Sequence, residues 1–158
     1  MTLDDLLELI EIEKDNILFT LSNIDELREI FGQKEPDKFQ LAALSKLMSD
    51  LYNGTENILK QVCKFNNYKI PSGAFYHTEL LLLFSNKPDI NLPTFIDCLI
   101  FEDFKALLKF RHYVIHGYAF QLKWSFIEPS VLKLRFMTEH FLKNVEKYLQ
   151  DLPQSYLK

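Results

Sequence analysis

An all-α fold, an up-and-down bundle of about five helices, is what this sequence predicts, on three observations. Apolar residues recur at sums of three and four over most of its 158 residues, the spacing that lines one face of an α-helix. Only 4 Gly and 6 Pro punctuate the chain, too few for the many turns of an all-β fold. No stretch alternates apolar and polar residues strictly enough to make a strand. With 47% of residues apolar, disordered and collagen-like chains are excluded. The length suits a single domain, residues 1–158, around one core.

The first helix carries Leu3, Leu7, Ile10, Ile17, Leu21, Ile24 and Phe31 as its apolar stripe. Thr2 followed by Asp5 fits a capping box at its start, and Gly32 is a stop just beyond Phe31. Residues 1–36 hold ten acidic against three basic side chains, a local charge of -7 within an overall -4, so the remaining 122 residues carry +3. The acids therefore line the solvated face of this helix. A second long helix follows Pro36, with Asp37 as its cap and Leu41, Leu44, Met48, Leu51, Thr55, Ile58, Val62 and Phe65 on its stripe. Gly54 lies inside that stretch and costs ~1 kcal/mol of helix propensity relative to alanine. Close approach of another helix explains it better than a break.

Asn66-Asn67, Pro71 and Ser72-Gly73 mark a connection before a short helix over Ala74 to Phe84, apolar nearly all round and so expected at the centre. Ser85 to Pro93 reads as a loop. Thr94 and Asp97 then make another capping-box signature, opening a fourth helix that runs to Gly117 with a bend near Ile100 to Glu102. Residues 118–128 read as irregular, and Pro129-Ser130 opens a last helix carrying Val131, Leu134, Met137, Phe141, Val145, Tyr148 and Leu149. The 14 Phe and 7 Tyr exceed what such a core requires. Some of them should form an exposed patch, which predicts self-association.

The longest apolar runs are four or five residues, as in Leu80 to Phe84, against the roughly 20 needed to cross a bilayer. No membrane span is expected. The N-terminus is acidic and lacks a secretory signal, so a cytoplasmic location is expected. Cys63 and Cys98 suit neither a disulfide framework nor metal-ligand spacing and are expected to be buried thiols. No metal site and no cofactor is implied. Gly-rich phosphate loops, paired CxxC motifs, HExxH and nucleophile elbows are all missing from the sequence, which removes most familiar enzyme classes. A mildly acidic chain is a poor general binder of nucleic acid, so contact with RNA requires a local patch. Such a patch exists: Lys105 to Lys123 contains four bases and no acid.

His77 and His140 stand alone in helical context and read as packing or surface residues. The other two histidines fall in Lys109-Phe110-Arg111-His112-Tyr113-Val114-Ile115-His116-Gly117-Tyr118, where basic, imidazole and phenol groups crowd together. On one regular helix His112 and His116 share a face, while Arg111 and His116 point about 140° apart. Convergence of the latter two requires a helix end at Gly117, or a second copy of the segment across a symmetric dimer. An imidazole that moves protons beside a guanidinium that grips phosphate suits metal-independent RNA cleavage, with the 2′-hydroxyl as internal nucleophile. His116 would transfer the proton and Arg111 would hold the scissile phosphate. A basic helix end carrying a satisfied histidine fits the same spacing.

Arg111-His112-Tyr113-Val114-Ile115-His116-Gly117-Tyr118 resembles the R-x4-H-x-Y signature of HepT-like HEPN ribonuclease toxins, including a polar residue directly after the arginine. The continuation to Trp124, and the stretch Leu51-Tyr52-Asn53-Gly54-Thr55-Glu56-Asn57-Ile58-Leu59, are also similar to that family. The resemblance implies a cytoplasmic homodimer whose paired motifs form an RNA-cutting cleft. It implies Arg111 and His116 as catalytic, His112 as an auxiliary polar group, and Tyr118 as the site where a small nucleotidyltransferase antitoxin adds AMP. A phosphodiester on Tyr118 would place negative charge beside the cleft and repel RNA. Two other readings stand beside the toxin: a non-catalytic HEPN module that binds a nucleotidyltransferase or a nucleotide, and an inert helical bundle whose basic segment is only surface.

Overall fold

A computed structural model describes residues 1–85, 90–117 and 121–153 of the chain. The described residues form five helices and no strand: α1 (Leu3–Phe31), α2 (Lys38–Phe65), α3 (Tyr76–Leu83), α4 (Phe101–Ile115) and α5 (Trp124–Asp151). They pack as an all-α bundle with α2 in the middle, touching α1, α3 and α4, while α5 closes the bundle against α1 and α4.

Both long N-terminal helices start where their capping residues place them. Thr2 and Asp5 form the reciprocal capping box of α1, and Asp37 with Gln40 forms that of α2. Gly32 ends α1 at φ +56°, a left-handed conformation that glycine adopts without strain. The α1 stripe is as expected except at one place: Leu6 is wholly buried, and Leu7 lies toward solvent. Leu3, Leu6 and Ile10 are the residues that the helical period aligns with Ile17.

Gly54 marks the closest approach of α1 to α2. A Cβ there would lie 2.7 Å from Ile17 Cγ1, a branched side chain that is itself buried. Gly54→Val is therefore expected to lower stability by ~1–3 kcal/mol through overpacking, despite the better helix propensity of valine. Chemical denaturation checks this; an unchanged or higher midpoint would place α1 farther from α2 than the structure has it.

Three element boundaries differ from those expected. Helix α3 is only eight residues long and buries just Leu80 and Leu81, so it packs at the edge of α2 and α4 instead of at the centre. Helix α4 begins at Phe101, not Thr94. Asp97 turns its carboxylate to the Leu99 amide, to His140 and to Asn144, so it serves a local turn and a clamp on α5 in place of a helix cap. Although partial burial opposes it, those hydrogen bonds hold the Asp97 carboxyl below the usual carboxylate range. Phe95 plugs the same segment into the core, ringed by Phe84, Phe141 and Tyr148.

The last helix starts at Trp124, so Pro129 lies inside it. Pro129 forfeits one backbone hydrogen bond near the N-terminus. The added turn is held by Ile127, fully buried, and by edge contacts of Trp124 with Phe31 and of Phe126 with Tyr113. Cys63 is a buried thiol, pushed up to about 11 by burial. Cys98 is exposed, because the turn preceding α4 faces solvent where a helix was expected. Phe19, Phe39, Phe75, Phe126 and Phe136 remain on the surface, in line with the surplus of aromatic residues. No helix among the described residues is long and apolar enough to cross a membrane.

Candidate functional site

Phe104, Leu107 and Phe110 anchor α4 in the core, and Arg111 follows on the flank that meets α2 and α3. Its Nε donates to Asn53 Oδ1 at 2.6 Å, and its guanidinium carbon stands 5.9 Å over the Tyr52 ring. Its Nη1 lies 3.3 Å from His77 Nε2. A guanidinium can only donate, so His77 Nε2 is the acceptor and the ring hydrogen sits on Nδ1. That hydrogen is donated to Glu56 Oε2 at 2.5 Å. The Glu56 side chain is only 4% exposed, and its other oxygen pairs with Lys60 at 2.8 Å. Lys60 in turn lies over Tyr76, whose ring lies against that of His77, centroids 3.7 Å apart and planes tilted by 34°. A buried carboxylate is tolerated here because both of its oxygens are matched by donors.

Tyr52, Asn53 and Glu56 occupy positions i, i+1 and i+4 of α2, which places them on one side of that helix. This side is presented to α3 and α4, while Gly54 meets α1. Burial, followed by the neighbouring Glu56 carboxylate, keeps the Tyr52 hydroxyl protonated well above the ordinary phenol range. Tyr52 is thus a neutral platform for Arg111 and not a proton donor at neutral pH.

Two N–H groups of Arg111 are engaged, by Asn53 and His77. The other three of the five that a guanidinium carries have no partner among the described residues. They are available to an anion. A groove of about 820 Å³ opens beside them, lined by apolar residues such as Leu81, Leu82 and Leu108 and by Lys105, Lys109, Arg111, His112 and His77. Among the described residues, no three His, Cys, Asp or Glu side chains cluster as metal ligands.

His112 and His116 stand on one face as the spacing requires, with ring centroids 4.3 Å apart. Helix α4 ends at Ile115, His116 is its C-cap, and Gly117 leaves the helix at φ +81°. Both histidines are exposed. Arg111 and His116 make no contact with one another among the described residues: the first is turned into the α2–α3 flank, and the second toward solvent at the helix end. One protomer therefore does not bring them together. Tyr118 lies outside the described residues.

Sequence reading missed Tyr52, Asn53, Glu56 and His77. Three of them belong to the stretch Leu51 to Leu59, but their joint placement becomes meaningful only when α4 packs on α2. His77 carried no sequence signal, because its partners Glu56 and Arg111 are 21 and 34 residues away. His140 likewise serves the fold, through Asp97.

Residues 43–152 match a family model described as HepT-like protein. No curated protein and no solved structure matches the chain.

Proposed function

The chain belongs to the HepT-like family, and on that premise we propose that it is an endoribonuclease toxin of a toxin–antitoxin pair, working as a homodimer without a metal ion. Two protomers face their α4 segments across a cleft, so that Arg111 of each works with His116 of its partner. Arg111 grips the scissile phosphate through its open N–H groups and offsets the charge that builds up as the 2′-oxygen attacks phosphorus. His116 moves a proton to or from the reacting oxygens. His112, whose ring abuts that of His116, steadies the imidazole at the helix end.

The observation that carries this reading is a guanidinium fixed by Asn53, Tyr52 and His77 whose other three N–H groups have no partner among the described residues, beside a groove with a basic rim. The non-catalytic module, binding a nucleotidyltransferase or a nucleotide through the same surface, is the second reading, favoured by the same free donors.

Neutralisation follows from charge. AMP joined to Tyr118 by the partner nucleotidyltransferase brings a phosphodiester next in sequence to the motif, where it competes with RNA for Arg111. Coexpression with a small nucleotidyltransferase from the neighbouring gene is expected to add one or more AMP groups to the intact mass, all lost in Tyr118→Phe, together with loss of RNA cleavage. A tight complex with no gain in mass, from a protein that cuts no RNA, would move the assignment to the binding module.

A further inference from the structure

The cluster around Arg111 contains a second imidazole that the R-x4-H signature does not include. We propose that His77, oriented by Glu56, is the general base that takes the 2′-hydroxyl proton, which assigns His116 the opposite role of protonating the leaving 5′-oxygen. This rests on the ribonuclease reading above. The geometry supplies each part. Glu56 is buried, accepts from Nδ1 of His77 at 2.5 Å and fixes the tautomer, as a carboxylate does for a catalytic histidine. Nε2 is thereby left as a lone pair, and that lone pair is aimed at the arginine that holds phosphate, 3.3 Å from Nη1. Lys60 pairs with the other oxygen of Glu56 at 2.8 Å, so the carboxylate has a cationic partner besides the imidazole. The imidazole is not sealed in: its side chain is 21% exposed and lines the groove together with Arg111.

The step balances without any further reactant. As phosphate settles on the open N–H groups of Arg111, the adjacent ribose 2′-hydroxyl replaces Nη1 as the donor to His77 Nε2. Its proton passes to Nε2 while the 2′-oxygen bonds to phosphorus. The bond from phosphorus to the 5′-oxygen breaks, and that oxygen takes a proton from His116. The products are a 2′,3′-cyclic phosphate and a 5′-hydroxyl, with His77 protonated and His116 neutral. Glu56 touches no reacting atom and is a positioning residue.

His77→Gln separates chemistry from structure. A glutamine amide can accept from Arg111 and donate to Glu56, yet it cannot take up a proton. We expect wild-type helicity and dimer content, nearly unchanged KM, and kcat lowered about 10²- to 10⁴-fold. The decisive substrate is an RNA oligomer with sulfur in place of the 5′-bridging oxygen, whose leaving group needs no acid. It should restore His116→Ala to near the wild-type rate and leave His77→Gln as slow as before. A His77→Gln protein that cleaves ordinary RNA like the wild type, or one that the sulfur substrate rescues, overturns the assignment. His77→Ala gives an independent reading, with added imidazole expected to recover cleavage; no recovery in the folded variant also overturns it. Wild-type protein that cuts neither substrate defeats the ribonuclease reading itself, an outcome distinct from failure at His77 alone.

Discussion

Arg111→Ala is expected to lower RNA cleavage by about 10²- to 10³-fold or more, the loss that follows when a preorganised donor to a developing oxyanion is removed. The fold should hardly notice. Asn53 and His77 lose a partner, but neither is fully buried, so water replaces the missing hydrogen bonds at a cost of ~1 kcal/mol. Circular dichroism and gel filtration therefore separate a dead site from an unfolded chain. Arg111→Lys should fare little better, because an ammonium lacks the planar fork that reaches Asn53 and phosphate at once. Cleavage by Arg111→Ala at the wild-type rate would leave the guanidinium without a role.

The second large effect concerns the fold. Phe95 is fully buried, though it sits in a segment without regular structure. Its ring is stacked 5.4 Å from Phe84 and meets Phe141 and Tyr148 edge-on at 6.0 and 5.5 Å. Asn144 donates to its carbonyl at 3.0 Å. Truncation to alanine would open a cavity bordered by three rings and loosen the turn that launches α4. Phe95→Ala is expected to destabilise the protein by ~3–5 kcal/mol, enough to unfold a marginal domain. Thermal unfolding checks it: a shift of only a degree or two would mean that the turn is held by Asp97 and His140 alone.

Phe95 also shows what the sequence made legible and what it hid. Long helices with strong period and local caps, α1 and α2, were readable because every signal that defines them lies within a few residues: Thr2 with Asp5, Asp37 with Gln40. The close approach at Gly54 was readable from the residue type alone, since a glycine in a helix interior needs a neighbour to justify it. The start of α4 was not. Thr94 and Asp97 carry a capping pattern, but Asp97 finds His140 and Asn144 on α5, and a tertiary partner outweighs a local one. Pro129 misled for a related reason, because burial of Ile127 and the contacts of Trp124 extend the helix upstream of it.

The candidate site divides along the same line. The splay of Arg111 and His116 along one helix, and the shared face of His112 and His116, are matters of local geometry and were legible. The surroundings of Arg111 were not, because Tyr52, Asn53 and His77 reach it from two other helices. Motif spacing points to candidate groups, while packing decides which neighbours surround them and how they are aimed. Glu56 illustrates it: in sequence it is one acid among many, and in the fold it is a buried carboxylate that sets the tautomer of His77.

Mixing the two inactive variants tests most directly whether the arginine and the histidine serve one site from opposite subunits. Arg111→Ala and His116→Ala protomers, each folded and each inactive alone, are unfolded together and refolded as an equimolar mixture. In a symmetric dimer, half of the pairs are mixed and each mixed pair rebuilds one intact site, so about a quarter of wild-type RNA cleavage should return. No recovery, with mixed dimers present in the sample, would contradict a shared cleft and confine the chemistry, if any, to a single chain.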